Sequence, residues 1–456
     1  MRPFRFFALT ALLALGQLPV PVQAWGNHTL ASYRALENLP EVSAAAPVAV
    51  ESLDRFLKDE ENTVEALLAS QEAWAASNLS HYPTRPAALA FKADPNRSET
   101  ARRVAFLSAL RVAPNVKFAL FAQPDPRLPA PVAARLAYAD VSTLPVSGHV
   151  TQSFVSLQPG EMINPLTVLA TATDEPDYGL DINLWDDSPS TWGRTYGFGK
   201  QPFGNPALAI SSQAPFHMGF KHESKVLYLA APFIKRTYPI WRYYQWSSLS
   251  GLAFRSGHAY WGWRFAGLAL HYLQDLTQPY HAKLAPGESD ARLLMVNALA
   301  TLGATGLKDK TVVLLSNRHL ALERYQTALL LDAARANRNG ELEDALHNSA
   351  KDADYPAWND QSLRNVVAAE AARAADGLVP VLLAAFPESY VADPAFDFGA
   401  QADQVDLLAE MRQRDPKTVK PLDTAIARLL GHFGTHSRNA LRAILKSAPQ
   451  ANVREN

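Results

Sequence analysis

Apolar residues recur at spacings of three and four along much of the chain. In 48–79 the positions Leu53, Phe56, Leu57, Val64, Leu67 and Leu68 fall on one helical face. The segments 99–112, 317–336, 362–386 and 421–446 carry the same period, and long β-branched alternations are scarce, so the pattern predicts an all-α fold. Proline-rich stretches at 124–131 (PDPRLPAP), 202–215 and 387–395 cannot continue helices and mark connections. One segment departs from one-sided amphipathicity. Residues 257–277, GHAYWGWRFAGLALHYLQDLT, are apolar on nearly every face, which predicts a central, buried helix. It nevertheless carries His271 and Asp275, and a buried carboxylate needs partners. An ion pair with Arg264, two turns earlier, is one way to provide them; a metal ion is another.

The N-terminus reads as an export signal. Arg2 and Arg5 precede a short, mainly apolar run at 6–15, too short to span a bilayer, and Val22-Gln23-Ala24 fits a small-x-small cleavage site. Cleavage after residue 24 makes Trp25 the first residue of a secreted or periplasmic protein. The remainder reads as one helical domain, 25–446, followed by a flexible polar tail at 447–456. The composition narrows the chemistry. The chain has no cysteine and 12 histidines, which excludes disulfides, iron–sulfur clusters and thiolate zinc sites. Any metal must be held by imidazole, carboxylate or backbone groups. Lys and Arg total 43 against 44 Asp and Glu, a net charge of −1, so no stable nucleic-acid partner is expected. No protein partner is inferable.

His271 and Asp275, four residues apart, lie one above the other on a helix, so an imidazole nitrogen and a carboxylate oxygen can converge on one cation. His281 follows just past Pro279. His319 and Glu323 repeat the four-residue spacing in SNRHLALERYQ. The new N-terminus offers a third group: the freed Trp25 amine and carbonyl form a chelate that His28 can complete.

These motifs, HYLQDLTQPYH (271–281), HLALE (319–323) and a mature terminus WGNH (25–28), resemble the zinc-dependent phospholipase C and single-strand nuclease superfamily. The resemblance implies an all-α phospholipase C/nuclease-type domain with three zinc ions in a cleft. It covers the motif regions and leaves about 40–165 and 283–316 as insertions. It also implies the ligands. His271 and Asp275 hold one zinc of a close pair, with Asp275 bridging to a neighbour bound by Trp25 and His28. His281, His319 and Glu323 hold the third. The family's two remaining ligands, an Asp and a His, fall on Asp174 and His217, with Asp177 and His222 as alternatives. Asp174 is also the candidate to orient or deprotonate the attacking water. The implied activity is hydrolysis of a phosphodiester. Three features favour a phospholipid or membrane surface as substrate over nucleic acid: the apolar stretch 292–307, which is either a lipid-contacting helix or a core helix, the aromatic clusters at 238–246 and 258–265, and the lack of basic excess. A nuclease or nucleotidase, and a non-enzymatic zinc-stabilised lipid-binding protein, remain as alternatives.

Overall fold

The computed structural model describes residues 26–128, 134–144, 153–206, 209–401 and 404–447. Residues 1–24, read above as an export signal, Trp25 and the residues beyond 447 lie outside the described residues. The chain is mostly helical, with 63% of residues in helices and 3% in strands. The strands are two or three residues long. Val48–Ala49 pairs antiparallel with Met162–Ile163, and Phe154–Ser156 lies between Phe121–Ala122 and Arg135–Leu136, antiparallel to both.

The apolar segment forms the helix Ala259–Leu276, and every residue from Tyr260 to Leu276 is buried. The helix Pro239–Arg255 precedes it through a three-residue connection and packs along it, as a short link between helices dictates. The helix Pro165–Ala172 crosses it at Gly267. A Cβ at that position would come within 2.4 Å of the Leu169 carbonyl oxygen, so only glycine permits this approach. The first helix, His28–Leu36, and the closing helix, Pro416–Ser447, complete the layer around the central helix. One contiguous apolar core runs from Leu30 to Ile444.

Where the sequence predicts one helix in 48–79 there are two, Leu53–Asp59 and Glu61–Asn78, separated at Glu60. The expected segment 317–336 is the C-terminal part of a 30-residue helix, Gly306–Arg335. Arg264 does not pair with Asp275. Its guanidinium makes two hydrogen bonds of 2.8 Å to Glu175, which leaves Asp275 to other partners. Among the described residues, no helix is long and apolar enough to cross a membrane.

Candidate metal centre

The central helix presents His271 and Asp275 on one face, and five other segments bring donors to them. Three of the histidines, His28, His271 and His281, are oriented through one ring nitrogen. His271 Nδ1 donates to the Thr173 carbonyl at 2.7 Å, which turns Nε2 toward Asp275 Oδ2 at 3.3 Å. His28 opens the first helix, whose N-terminus is capped by the Asn27 side chain. Its Nδ1 donates to Gln274 Oε1 at 2.8 Å, so Nε2 faces Asp275 Oδ1 at 3.3 Å with a free lone pair. The Gln274 amide is itself fixed, donating to Ser32 Oγ and Ser437 Oγ. His281 Nδ1 donates to the His217 carbonyl at 3.0 Å, and its Nε2 meets His319 Nε2 at 3.1 Å. Anchoring one nitrogen so that the other is available is the usual arrangement behind a metal-bound histidine.

Three buried donor groups result: His28, His271 and Asp275; Asp177, His217 and His271; and His281, His319 and Glu323. Within each group the ligand atoms lie within 4.8 Å of one another. Asp275 joins the first two, because its Oδ2 also lies 2.8 Å from His217 Nδ1. His217 Nδ1 is 3.0 Å from His271 Nε2 and 3.7 Å from Asp177 Oδ1. In the third group, Glu323 Oε1 is 2.7 Å from His319 Nε2 and accepts from Gln278.

Burial sets the electrostatics. It pushes the Asp177 carboxyl up to about 7, with the Asp275 and Asp174 charges adding to the effect against His217 and His28. It raises Glu323 to about 8, and it lowers His281 to about 4 and His319 to about 3. Asp275 stays well below the usual carboxylate range despite burial, because His271, His217 and His28 surround it. Burial opposes the charged form of His271, yet Asp275 raises its pKa overall. Burial thus favours the neutral forms of His281, His319, Asp177 and Glu323, while Asp275 and His271 favour each other's charged forms. His28 Nε2, Asp177 Oδ1, Asp275 Oδ1 and Glu323 Oε2 are all buried without a hydrogen-bond partner. Orphaned donors of this kind are costly unless a cation satisfies them, so these residues can hold metal ions.

Asp174, the carboxylate preferred from the family resemblance, is not in any donor group among the described residues. Its Oδ1 accepts from the Thr29 backbone N–H and its Oδ2 from Gln123 Nε2, so both oxygens are engaged in tying the first helix to the helix before it. The 3₁₀ turn Glu175–Tyr178 carries the chain on, and Asp177 reaches the centre instead. His217 is within the centre, at the end of the short helix Ala214–His217. His222 is exposed and bonded to the Arg364 carbonyl. Trp25 lies outside the described residues. Gly26 abuts the long helix, where an added Cβ would meet Thr327 Oγ1 at 2.6 Å, beside the turn carrying Glu323.

Sequence reasoning missed the supporting shell. Asp181 sits 3.6 Å from His217 Nε2 and is held by Arg242 and the Tyr272 hydroxyl. Its four-residue spacing from Asp177 was the available signal. Gln274 and Gln278 lie inside the quoted motif without any feature marking them as anchors. A fourth group, Glu51, Asp59 and His258, lies toward the surface, where Arg55 pairs with both acids. No protein-family model matches the chain, and searches of curated proteins and of solved structures return no match.

Proposed function

We propose that the protein is an exported zinc-dependent phosphodiesterase of the phospholipase C type, built on the corresponding all-α fold. The observation that carries this reading is the convergence of three buried His/carboxylate groups, two of them sharing His271 and linked by Asp275, with free ring nitrogens turned inward. Nitrogen and oxygen donors without sulfur suit zinc. His28 with Asp275, joined by the Trp25 amine and carbonyl, would hold one ion; Asp177, His217, His271 and Asp275 a second; His281, His319 and Glu323 a third. Bound zinc supplies Lewis acidity toward a phosphoryl oxygen and acidifies water near neutral pH.

The chain's own groups do the rest. Gln274, Thr173 and the His217 carbonyl orient the rings. The role first given to Asp174, to ligate as well as to orient or deprotonate the attacking water, would pass to Asp177, whose Oδ1 is buried without a hydrogen-bond partner and faces His217 and His271. A net charge of −1 and the apolar surroundings described below favour a phospholipid over a polynucleotide.

The test is a parallel incubation of zinc-loaded protein with phosphatidylcholine vesicles and with single-stranded DNA. Diacylglycerol release without DNA cleavage supports the reading. DNA cleavage alone replaces it with a nuclease, and neither product with full metal content makes the centre structural.

A further inference from the structure

A cavity of about 270 Å³, half open to solvent, abuts the third donor group, with His319 in its wall. Its other walls come mainly from the stretch around Phe203, the helix Lys225–Ala230, the helix Asp290–Thr301 and the first turns of Gly306–Arg335, ahead of the part that carries His319 and Glu323. Phe220, Leu227, Leu284, Leu293 and Val312 are representative of a lining that is largely aliphatic and aromatic. Among the described residues no carboxylate lines the cavity, and Lys308 supplies its one ammonium group. Where His319 borders the space, Tyr280 stacks on the imidazole at 8° with ring centroids 5.5 Å apart. Tyr280 is only 5% exposed, and its hydroxyl is buried without a hydrogen-bond partner. The cavity thus joins an apolar body to an unsatisfied polar group beside the metal centre, the shape of demand that an amphiphile meets.

The outer face of the same walls is unusual. Of nine strongly exposed large apolar side chains among the described residues, five lie on two helices that pack against each other at the cavity, or at their caps. Val226 and Leu229 are on Lys225–Ala230; Met295 and Leu299 are on Asp290–Thr301, with Leu302 at its C-cap. Leu229 is 83% and Leu302 84% exposed. The helix Asp290–Thr301 buries Val296 alone, so the apolar stretch is not a core helix. Exposed apolar side chains gathered on two helices that pack against each other mark an interaction surface. Its continuity with an alkyl-sized cavity points to lipid.

We propose that this cavity binds one hydrocarbon chain of a lipid whose phosphate lies at the metal centre, and that the two exposed apolar helices seat the protein on the lipid surface. The inference rests on the phosphodiesterase reading for the position of the head group.

Isothermal titration of the zinc-loaded full chain with monomeric n-alkylphosphocholines, butyl to decyl, tests the chain site. Affinity should tighten by about fourfold per methylene until the cavity is filled, with phosphocholine alone the weakest ligand. Val312→Trp, which fills the space, and Leu293→Asp, which charges it, should each flatten that series; thermal melts identify whichever variant remains folded. A chain-length series that is flat in the wild type, or unchanged in a folded variant, overturns the proposal. So does octanoate binding as tightly as octylphosphocholine, which would mark a free fatty-acid pocket unconnected to the centre. For the surface, Leu229→Ser with Leu302→Ser should reduce sedimentation with phosphatidylcholine vesicles at least several-fold, and unchanged sedimentation refutes the docking face. Hydrolysis of bis(p-nitrophenyl) phosphate by the wild type separates the two readings. Chain-dependent binding without hydrolysis sinks the phosphodiesterase and keeps the alkyl site; hydrolysis with flat binding does the reverse.

Discussion

Gln274 makes no contact with a substrate in any reading of the site, yet it determines which nitrogen of His28 is free. Replacing it with Leu removes the acceptor for Nδ1–H and lets the ring turn. The expected result is a loss of about 10- to 100-fold in metal affinity at that group, read by competition with a chromogenic chelator, with the third group unaffected. The two aspartates of the 174–177 turn separate cleanly. Asp177→Asn should lower zinc content and abolish activity. Asp174→Ala should keep the zinc but destabilise the fold by about 1–3 kcal/mol, because it strands the Thr29 N–H and the Gln123 amide; denaturant unfolding with elemental analysis distinguishes the outcomes. At this scale the sequence was partly legible. The spacings of His271, Asp275, His319 and Glu323 are helical geometry, which a period of 3.6 reveals. The choice between Asp174 and Asp177 was not legible, because it depends on a single 3₁₀ turn and on hydrogen bonds to Thr29 and Gln123, far away in sequence.

Elements were legible where their own periodicity decides them. The central helix declares itself through an unbroken apolar run, and the closing helix Pro416–Ser447 through its one-sided pattern. The two- and three-residue strands and the short helices Ala209–Ser212 and Ala214–His217 leave no such trace, since tertiary contacts rather than local pattern maintain them. His217 was therefore placed by the family resemblance and not by a recognisable element. The close crossing at Gly267 makes an element-level prediction. Gly267→Ala drives a methyl into the Leu169 carbonyl and the Ala172 side chain. The helix Pro165–Ala172 must then shift, costing about 1–3 kcal/mol. Because that helix leads into Thr173 and Asp177, zinc content should fall with stability, as melting and metal analysis of the same sample would show.

For the whole molecule, the centre couples stability to pH and metal. Burial raises Asp177 from 3.8 to about 7 and Glu323 from 4.5 to about 8. In metal-free protein the folded state keeps these protons after the unfolded chain has released them, so stability falls as pH rises through this range. Burial lowers His281 from 6.5 to about 4 and His319 from 6.5 to about 3, which makes stability rise with pH up to 6.5. Above pH 6.5 the carboxyls of the centre and His271, whose pKa Asp275 raises, destabilise the metal-free form as pH rises, while Lys221, lowered by burial to about 7 outside the centre, offsets part of that loss in metal-free and zinc-loaded protein alike. Zinc, which displaces these protons, should oppose that loss. The gap in Tm between zinc-loaded and chelator-treated protein should therefore widen from pH 6.5 to 8; a constant gap would contradict the assignment of these residues as ligands.

The clamp on the Gln274 amide has one more consequence. Ser32 comes from the first helix and Ser437 from the closing one, so the side chain that orients His28 is gripped by opposite ends of the chain. During synthesis His28 is made early, but half of that grip is missing until residue 437 has been added. A nascent or prematurely terminated chain would hold its first metal group loosely. Loading of that ion would thus depend on the closing helix being in place, and a chain cut short before residue 437 should lose metal at that group and yield faster to protease.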